Sequence, residues 1–223
     1  MTDRYRVEID GLRAVAVCFV LLFHFFPNLF PVGYLGVDLF FVISGYVIAT
    51  QLQAQMRRGD FSFLNFYMRR IQRILPLTFA VLAMTVAVGS VFLLKADFSR
   101  LIDSAFATAT FWANVYFWRD GGYFGGADKL KPLLHMWSLA VEEQFYLVFP
   151  AIFWLLIAYL KLRSVPLLAS VMVLVLLSFS AYLGLNQIGG SSPAFFMMPT
   201  RAWQFGGGAL AALLVADGWR RDS

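Results

Sequence analysis

Apolar runs of about 20 residues recur along this 223-residue chain, and that repetition constrains its folding more than any other feature. At 1.5 Å per residue such a run matches the ~30 Å hydrocarbon core of a bilayer. There only helices and closed barrels keep every backbone N–H and C=O paired. The first candidate covers about Ala14–Phe30, with His24 as its single ionisable group. Glu8 and Asp10 in its leader, and the lack of a small-x-small cleavage site, mark it as a retained span rather than a signal peptide. The turn Pro31-Val32-Gly33 leads to a second span at about Leu35–Leu52. A third covers about Ile74–Leu94, with Pro76 expected in its first turn, where a missing N–H is harmless. Three more, near Trp137–Leu160, Val165–Leu185 and Ala202–Ala216, complete an all-α, polytopic transmembrane bundle of about six spans. Ser104–Trp118 is apolar but only about 15 residues long and contains Asn114, so it reads as interfacial or re-entrant. If it crossed as well, the count would be seven.

Composition closes the alternatives. Hydrophobic residues make up 60% of the chain and charged residues 14%, more apolar surface than a soluble domain of this size can bury. Soluble enzyme, disordered linker, nucleic-acid binder and disulfide scaffold are poor readings, and the expected partner is the lipid bilayer. The net charge of +5 fits Lys and Arg gathering on the cytoplasmic side better than it fits nucleic acid. With the N-terminus inside, Arg4, Arg6, Arg13, Arg57, Arg58, Arg69, Arg70, Arg73, Lys161, Arg163, Arg220 and Arg221 are cytoplasmic. Lys95, Arg100, Arg119, Lys129, Lys131 and Arg201 lie outside. That is 12 against 6, but a seventh crossing gives the same ratio, so charge orients the first half and leaves the second open. A single cysteine, Cys18, and two histidines leave no expected metal centre. No internal repeat is visible.

Polar groups inside the spans are the candidate functional residues, because each is costly in lipid. Arg13 and His24 are 11 residues apart, three turns plus about 20°, so they share one face about 16 Å apart. They make a polar stripe, unless Arg13 snorkels and His24 bonds a neighbouring helix. Histidine also suits general-base work near neutrality. Asp38 either caps the second span or orients a catalytic group. Arg70 and Arg73, at i,i+3, suit a phosphate clamp or a lipid-headgroup contact. In the dense segment His135–Tyr146, Glu143 and Tyr146 are i,i+3 neighbours, as are Glu142 and Phe145, so one carboxylate is expected to turn inward with Tyr146. The HExxH spacing of a zinc site is absent from it. Arg201 either balances an inward carboxylate or anchors the last helix.

Tyr5–Val17, then Leu22-Phe23-His24, Gly36–Gly45, Arg70-x-x-Arg73, Trp137–Tyr146 and Pro199–Gln204 follow one another in an order that resembles acyltransferase family 3. These are multispanning bacterial membrane proteins that O-acylate cell-surface glycans. The resemblance implies an acyltransferase of the cytoplasmic (inner) membrane, N-terminus inside. It would carry an acyl group, commonly acetyl, from a cytoplasmic acyl-CoA to a hydroxyl of a glycan or lipid-linked sugar, with no permanently bound cofactor. It also implies that Arg70 and Arg73 meet the CoA phosphates and that Arg13 and His24 lie along the transfer route. His24 would be acid/base or transient acyl carrier. Glu143 and Tyr146 look like polar-core residues of the family, and Asp38, in the Gly36–Gly45 block, joins them as the candidate that orients a catalytic group. Glu often stands in the family where this chain has Gln204, which removes one possible partner for Arg201. Family members usually carry more spans, often with a separate or fused esterase-like extracytoplasmic domain. Residues 1–223 are therefore expected to be a membrane domain incomplete at its C-terminal end. Other classes to weigh are a proton- or anion-coupled transporter subunit using Arg13, His24 and Glu143, and a non-catalytic remnant. The inverted repeats of a transporter are not found.

Overall fold

The computed structural model describes residues 7–121, 131–162 and 164–221. Arg4, Tyr5, Arg6, the run Gly122-Tyr123-Phe124-Gly125-Gly126, Lys129, Arg163 and the side chains of Arg220 and Arg221 lie outside what is described. Every regular element among the described residues is helical. The elements are α1 (Val7–Phe25), α2 (Leu35–Arg58), α3 (Phe63–Phe92), α4 (Lys95–Ala109), α5 (Ala113–Arg119), α6 (Met136–Trp154, continued by a π-turn Leu155–Tyr159), α7 (Ser164–Gln187), α8 (Ser191–Phe196) and α9 (Met198–Arg221).

One boundary departs from expectation. Ser62 caps α3 by accepting from the Asn65 N–H at 3.4 Å, so this helix starts at Phe63 rather than near Ile74, and Pro76 lies in its interior. Membrane helices tolerate such a proline because neighbours re-satisfy the freed carbonyl. At 30 residues α3 is about 45 Å long, so its first turns, with Arg69, Arg70 and Arg73, extend beyond one hydrocarbon thickness. Ser104–Trp118, expected to be interfacial or re-entrant rather than spanning, forms two short helices. The chain breaks at Thr110–Trp112, where Phe111 adopts φ 57°, leaving α4 with 15 residues and α5 with 7, each too short to cross.

Four helices are long and apolar enough to span a membrane: Leu35–Arg58, Phe63–Phe92, Met136–Tyr159 and Val165–Gln187. The expected six therefore include two, α1 and α9, that do not qualify by length and composition. Glu8, Asp10 and Arg13 in α1, and Arg201 and Gln204 in α9, are the polar groups that lower them.

Side-chain contacts set the helix directions. Phe41 meets Trp137 at 6.2 Å between ring centroids, and Ser44 bonds Glu142 farther along, so α2 and α6 run parallel. Asp38 pairs with Arg201 and Phe41 stacks on Phe205 at 4.5 Å, so α9 runs parallel to both. Against them, Phe63 faces Trp154, Tyr67 donates to the Leu147 carbonyl at 2.8 Å and Arg70 covers Tyr146, so α3 is antiparallel to α6. The chain between α3 and α6 consequently returns to the end of the bundle at which α3 finished. That end, where α2, α6 and α9 begin, is called the Asp38 end below. The other is the Arg70 end.

Aromatic rings fill the seam between the parallel helices. Phe145 stacks on Phe205 at 4.2 Å and on Phe149 at 4.7 Å, each pair worth about 0.5–1.5 kcal/mol beyond its buried area. Close approach of α2 and α9 depends on two glycines. A Cβ at Gly45 would lie 1.9 Å from the Phe205 carbonyl, and one at Gly208 would lie 1.9 Å from the Val42 carbonyl. The outward faces of α3 and α7 are exposed and apolar, as a surface meeting lipid chains must be.

Candidate active site

At the Asp38 end, five helices surround a small cleft. Val20, Phe23 and His24 come from α1, Asp38 from the first turn of α2, Trp137 from α6, Phe195 from α8 and Arg201 from α9, with Tyr34 at the rim. Arg201 is the best-held side chain there. Its Nη1 donates to Asp38 Oδ1 at 2.8 Å, its Nε to the Phe195 carbonyl at 2.9 Å, and the guanidinium lies 4.6 Å over the Phe195 ring. With only 6% of Arg201 exposed, this ion pair is largely out of water. Both possibilities left open by the sequence are thereby decided. Asp38 does not cap α2, whose N-cap Tyr34 makes no side-chain cap bond, and Arg201 balances that inward carboxylate.

His24 sits on the rim, exposed on α1 and facing the cleft. Its Nδ1 lies 2.8 Å from the Val20 carbonyl one turn earlier. A carbonyl only accepts, so Nδ1 carries a proton there and Nε2 is the ring nitrogen left for another partner. The chain's second histidine, His135, approaches the same corner from the start of α6. Desolvation by the surrounding chain, and to a smaller extent the charge of His24, lowers its pKa from the ordinary histidine value.

About two turns along α2 toward the Arg70 end lies a second polar cluster. Ser44 Oγ and the Tyr146 hydroxyl both donate to Glu142 Oε1. Arg70 stands 4.1 Å over the Tyr146 ring and 5.7 Å from the centre of Phe66. The carboxylate that turns in to Tyr146 is therefore Glu142, one helical turn away at i,i+4, and not Glu143. Glu143 lies on the Arg70 side, and its Oε1 is buried with no hydrogen-bond partner. From Trp137 to Tyr146 is nine residues, so the clusters are separated by about 14 Å of helix.

The expected residues thus fall into groups. His24 and Asp38 come together at the cleft; Arg70, Tyr146 and Glu143 gather deeper. Arg73 is exposed on α3 and does not join Arg70 against Tyr146. Arg13 is half-buried, pairs with Asp10 of its own helix at 3.6 Å, leaves its Nε buried without a partner and does not line the cleft. The stripe from Arg13 to His24 exists as a helix face, but Ala16 is buried between them, so no open passage joins them. Sequence reasoning missed Ser44, Trp137 and the Glu142–Tyr146 pairing. The last had a visible signal, since i,i+4 neighbours face one another as well as i,i+3 neighbours do.

Comparison with known proteins bears on this geometry. The profile of acyltransferase family 3, described as an acyltransferase domain, matches residues 6–217. The chain belongs to that family. The match takes in every candidate residue of both clusters. Peptidoglycan O-acetyltransferase OatA of Listeria monocytogenes (EGD-e) is 33% identical over 216 residues, 95% of this chain and 34% of the relative. A Staphylococcus aureus (strain MSSA476) protein provisionally named an O-acetyltransferase is 38% identical over 164 residues, 72% of this chain and 26% of its own. An uncharacterized Haemophilus influenzae protein is 40% identical over 131 residues, covering 59% and 53%. The chain thus spans about a quarter to a third of the length of the two O-acetyltransferases. No solved structure matches it. Apolar helices and family membership together make this acyltransferase family 3 chain a membrane protein.

Proposed function

We propose that this chain supplies membrane-embedded machinery of an O-acyltransferase that moves an acyl group, in the first instance acetyl, from a cytoplasmic acyl-CoA to a hydroxyl of a cell-envelope glycan. The observation that carries this reading is the His24 imidazole, its Nδ1–H tied to Val20, standing beside the Asp38–Arg201 pair in one cleft. As the acceptor oxygen bonds to the thioester carbonyl carbon, His24 Nε2 takes the hydroxyl proton. The C–S bond then breaks, and the leaving thiolate receives that proton to become the CoA thiol. Arg201, already fixed on two sides, places positive charge near the oxyanion that forms between those steps. Trp137 and Phe195 make the cleft wall apolar, which limits loss of the acyl group to water.

The Arg70 end takes the donor in this reading. Arg57, Arg58, Arg69, Arg70 and Arg73 cluster at the α2–α3 connection, which supports a cytoplasmic placement of that end and hence of the N-terminus in the inner membrane. The parallel course of α2, α6 and α9 supports six crossings with α4 and α5 returning to their own side. Arg70 and Arg73 hold the donor phosphates, and the acyl end travels about 14 Å past Tyr146 to the cleft. Glu143, with its buried unpartnered oxygen, lies along that half of the route.

Radiolabelled acetyl transfer from acetyl-CoA to envelope glycan, measured in membranes carrying the chain and its His24→Ala variant at equal insertion, tests the reading. Transfer should fall by about 10³-fold in the variant, and undiminished transfer would overturn the role of His24.

A further inference from the structure

Helix α8 ends inside the protein, and side chains from other elements close it. A helix leaves its last carbonyls without backbone partners. Here the Ala194 carbonyl accepts from Thr200 Oγ1 at 3.0 Å, the Phe195 carbonyl from Arg201 Nε at 2.9 Å and the Phe196 carbonyl from Asn114 Nδ2 at 3.1 Å. Thr200 reaches the Met197 carbonyl as well, at 2.8 Å. The helix end that seats Arg201 is therefore itself seated, through the adjacent carbonyl, by Asn114 of α5.

Asn114 is 1% exposed and is locked in turn. Its Nδ2 donates to Gln144 Oε1 at 3.2 Å, while Gln144 Nε2 donates to Asn114 Oδ1 at 2.9 Å and to the Phe111 carbonyl at 2.9 Å. Both N–H groups of each amide are used, and the two backbone carbonyls can only accept, so each amide fits in one orientation alone. Phe111 is the residue whose φ of 57° separates α4 from α5, a strained conformation that persists only where its surroundings hold it. The amide pair thus ties the α4–α5 break, the middle of α6 and the end of α8 into one network built on buried Asn114 and half-buried Gln144, with every amide N–H used, the kind that specifies a single geometry.

We propose that Asn114 and Gln144 are positioning residues for Arg201, fixing the Phe195–Phe196 carbonyls and with them the stance of the guanidinium against Asp38. Neither residue touches the cleft; both act through α8. The consequence for catalysis rests on the acyltransferase reading above, whereas the positioning itself does not.

A double-mutant cycle over Asn114→Leu and Arg201→Lys in the full chain tests it. Asn114→Leu should lower kcat for acetyl transfer about 100-fold, the scale of a misplacement of about 1 Å, with donor KM unchanged. In the Arg201→Lys background the same change should have a much smaller effect, because the group it positions is already gone. Equal losses in both backgrounds would overturn the proposal. Melting midpoints of the four proteins in detergent are read alongside, and their shifts should be non-additive whether or not the parent transfers acetyl. Coupled melting with an inactive parent retains the positioning and discards the acyltransferase reading. Additive melting discards the positioning. Asn114→Ser, which is shorter, runs through the same cycle if the Leu variant does not fold.

Discussion

The two polar clusters of this bundle use similar residue types and satisfy them differently. At the Asp38 end a carboxylate and a guanidinium meet at 2.8 Å, and the guanidinium's Nε is taken by a helix-end carbonyl. Deeper, two adjacent glutamates share space with Tyr146 and Arg70, Glu142 is bonded twice through one oxygen, and Glu143 keeps a buried oxygen without a partner. Neither cluster is fully satisfied: the first holds its guanidinium from two sides, yet buried Gln204, one turn along α9 from Arg201, keeps both ends of its amide without a hydrogen-bond partner, while the second leaves one Glu143 oxygen open. Buried polar groups are costly unless satisfied, so the incompleteness itself is informative.

The contrast can be attacked residue by residue, beginning with the largest effect. His24→Ala should reduce acetyl transfer by about 10³-fold, within the range for a general base, yet leave the melting midpoint in place because its one hydrogen bond is to its own helix. Asp38→Asn leaves a buried guanidinium unmatched and should cost about 3–5 kcal/mol in detergent unfolding, most of it recovered when Arg201→Met is added. A double variant no more stable than Asp38→Asn alone would mean the two charges do not act as a pair. Tyr146→Phe removes one hydrogen bond to a carboxylate and should destabilise the deeper cluster by about 1.5–3 kcal/mol, visible in the same unfolding measurement. Gly45→Ala, next to Ser44, should cost about 1–3 kcal/mol by pushing α2 from α9, while Gly207→Ala, with open space at its Cβ, should be close to neutral. Comparable losses at both glycines would remove close packing as the reason. Smallest is Arg70→Ala, expected to raise donor KM about tenfold with kcat intact. A fall in kcat instead would move Arg70 from the dock into the reacting site.

Much of the fold is visible in the chain because lipid permits few solutions. Apolar runs of bilayer length must be helices, and Leu35–Leu52, Trp137–Leu160 and Val165–Leu185 lie close to α2, α6 and α7. Where this reading slipped, at the start of α3, a local polar group outweighed the pattern: Ser62 starts the helix well before its apolar stretch. Ser104–Trp118, read as non-spanning, is split at Phe111 beside the Asn114–Gln144 pair. The candidate site was legible as a set of residue types but not as a set of partners. His24, Asp38, Arg70 and Tyr146 stood out because ionisable or hydroxyl groups in an apolar run need a reason. Whether Asp38 capped a helix or met Arg201, 163 residues away, no spacing could say.

What the sequence determined alone is therefore the medium, the helices and the polar residues that had to find one another, since hydrocarbon penalises each unpaired group regardless of the fold. What only the tertiary structure decided is who pairs with whom. That depends on α2, α6 and α9 running parallel at a separation that Gly45 and Gly208 allow, which brings Arg201 to Asp38, Glu142 to Ser44 and Asn114 to the end of α8. Those distances are properties of packed helices, and no single helix contains them.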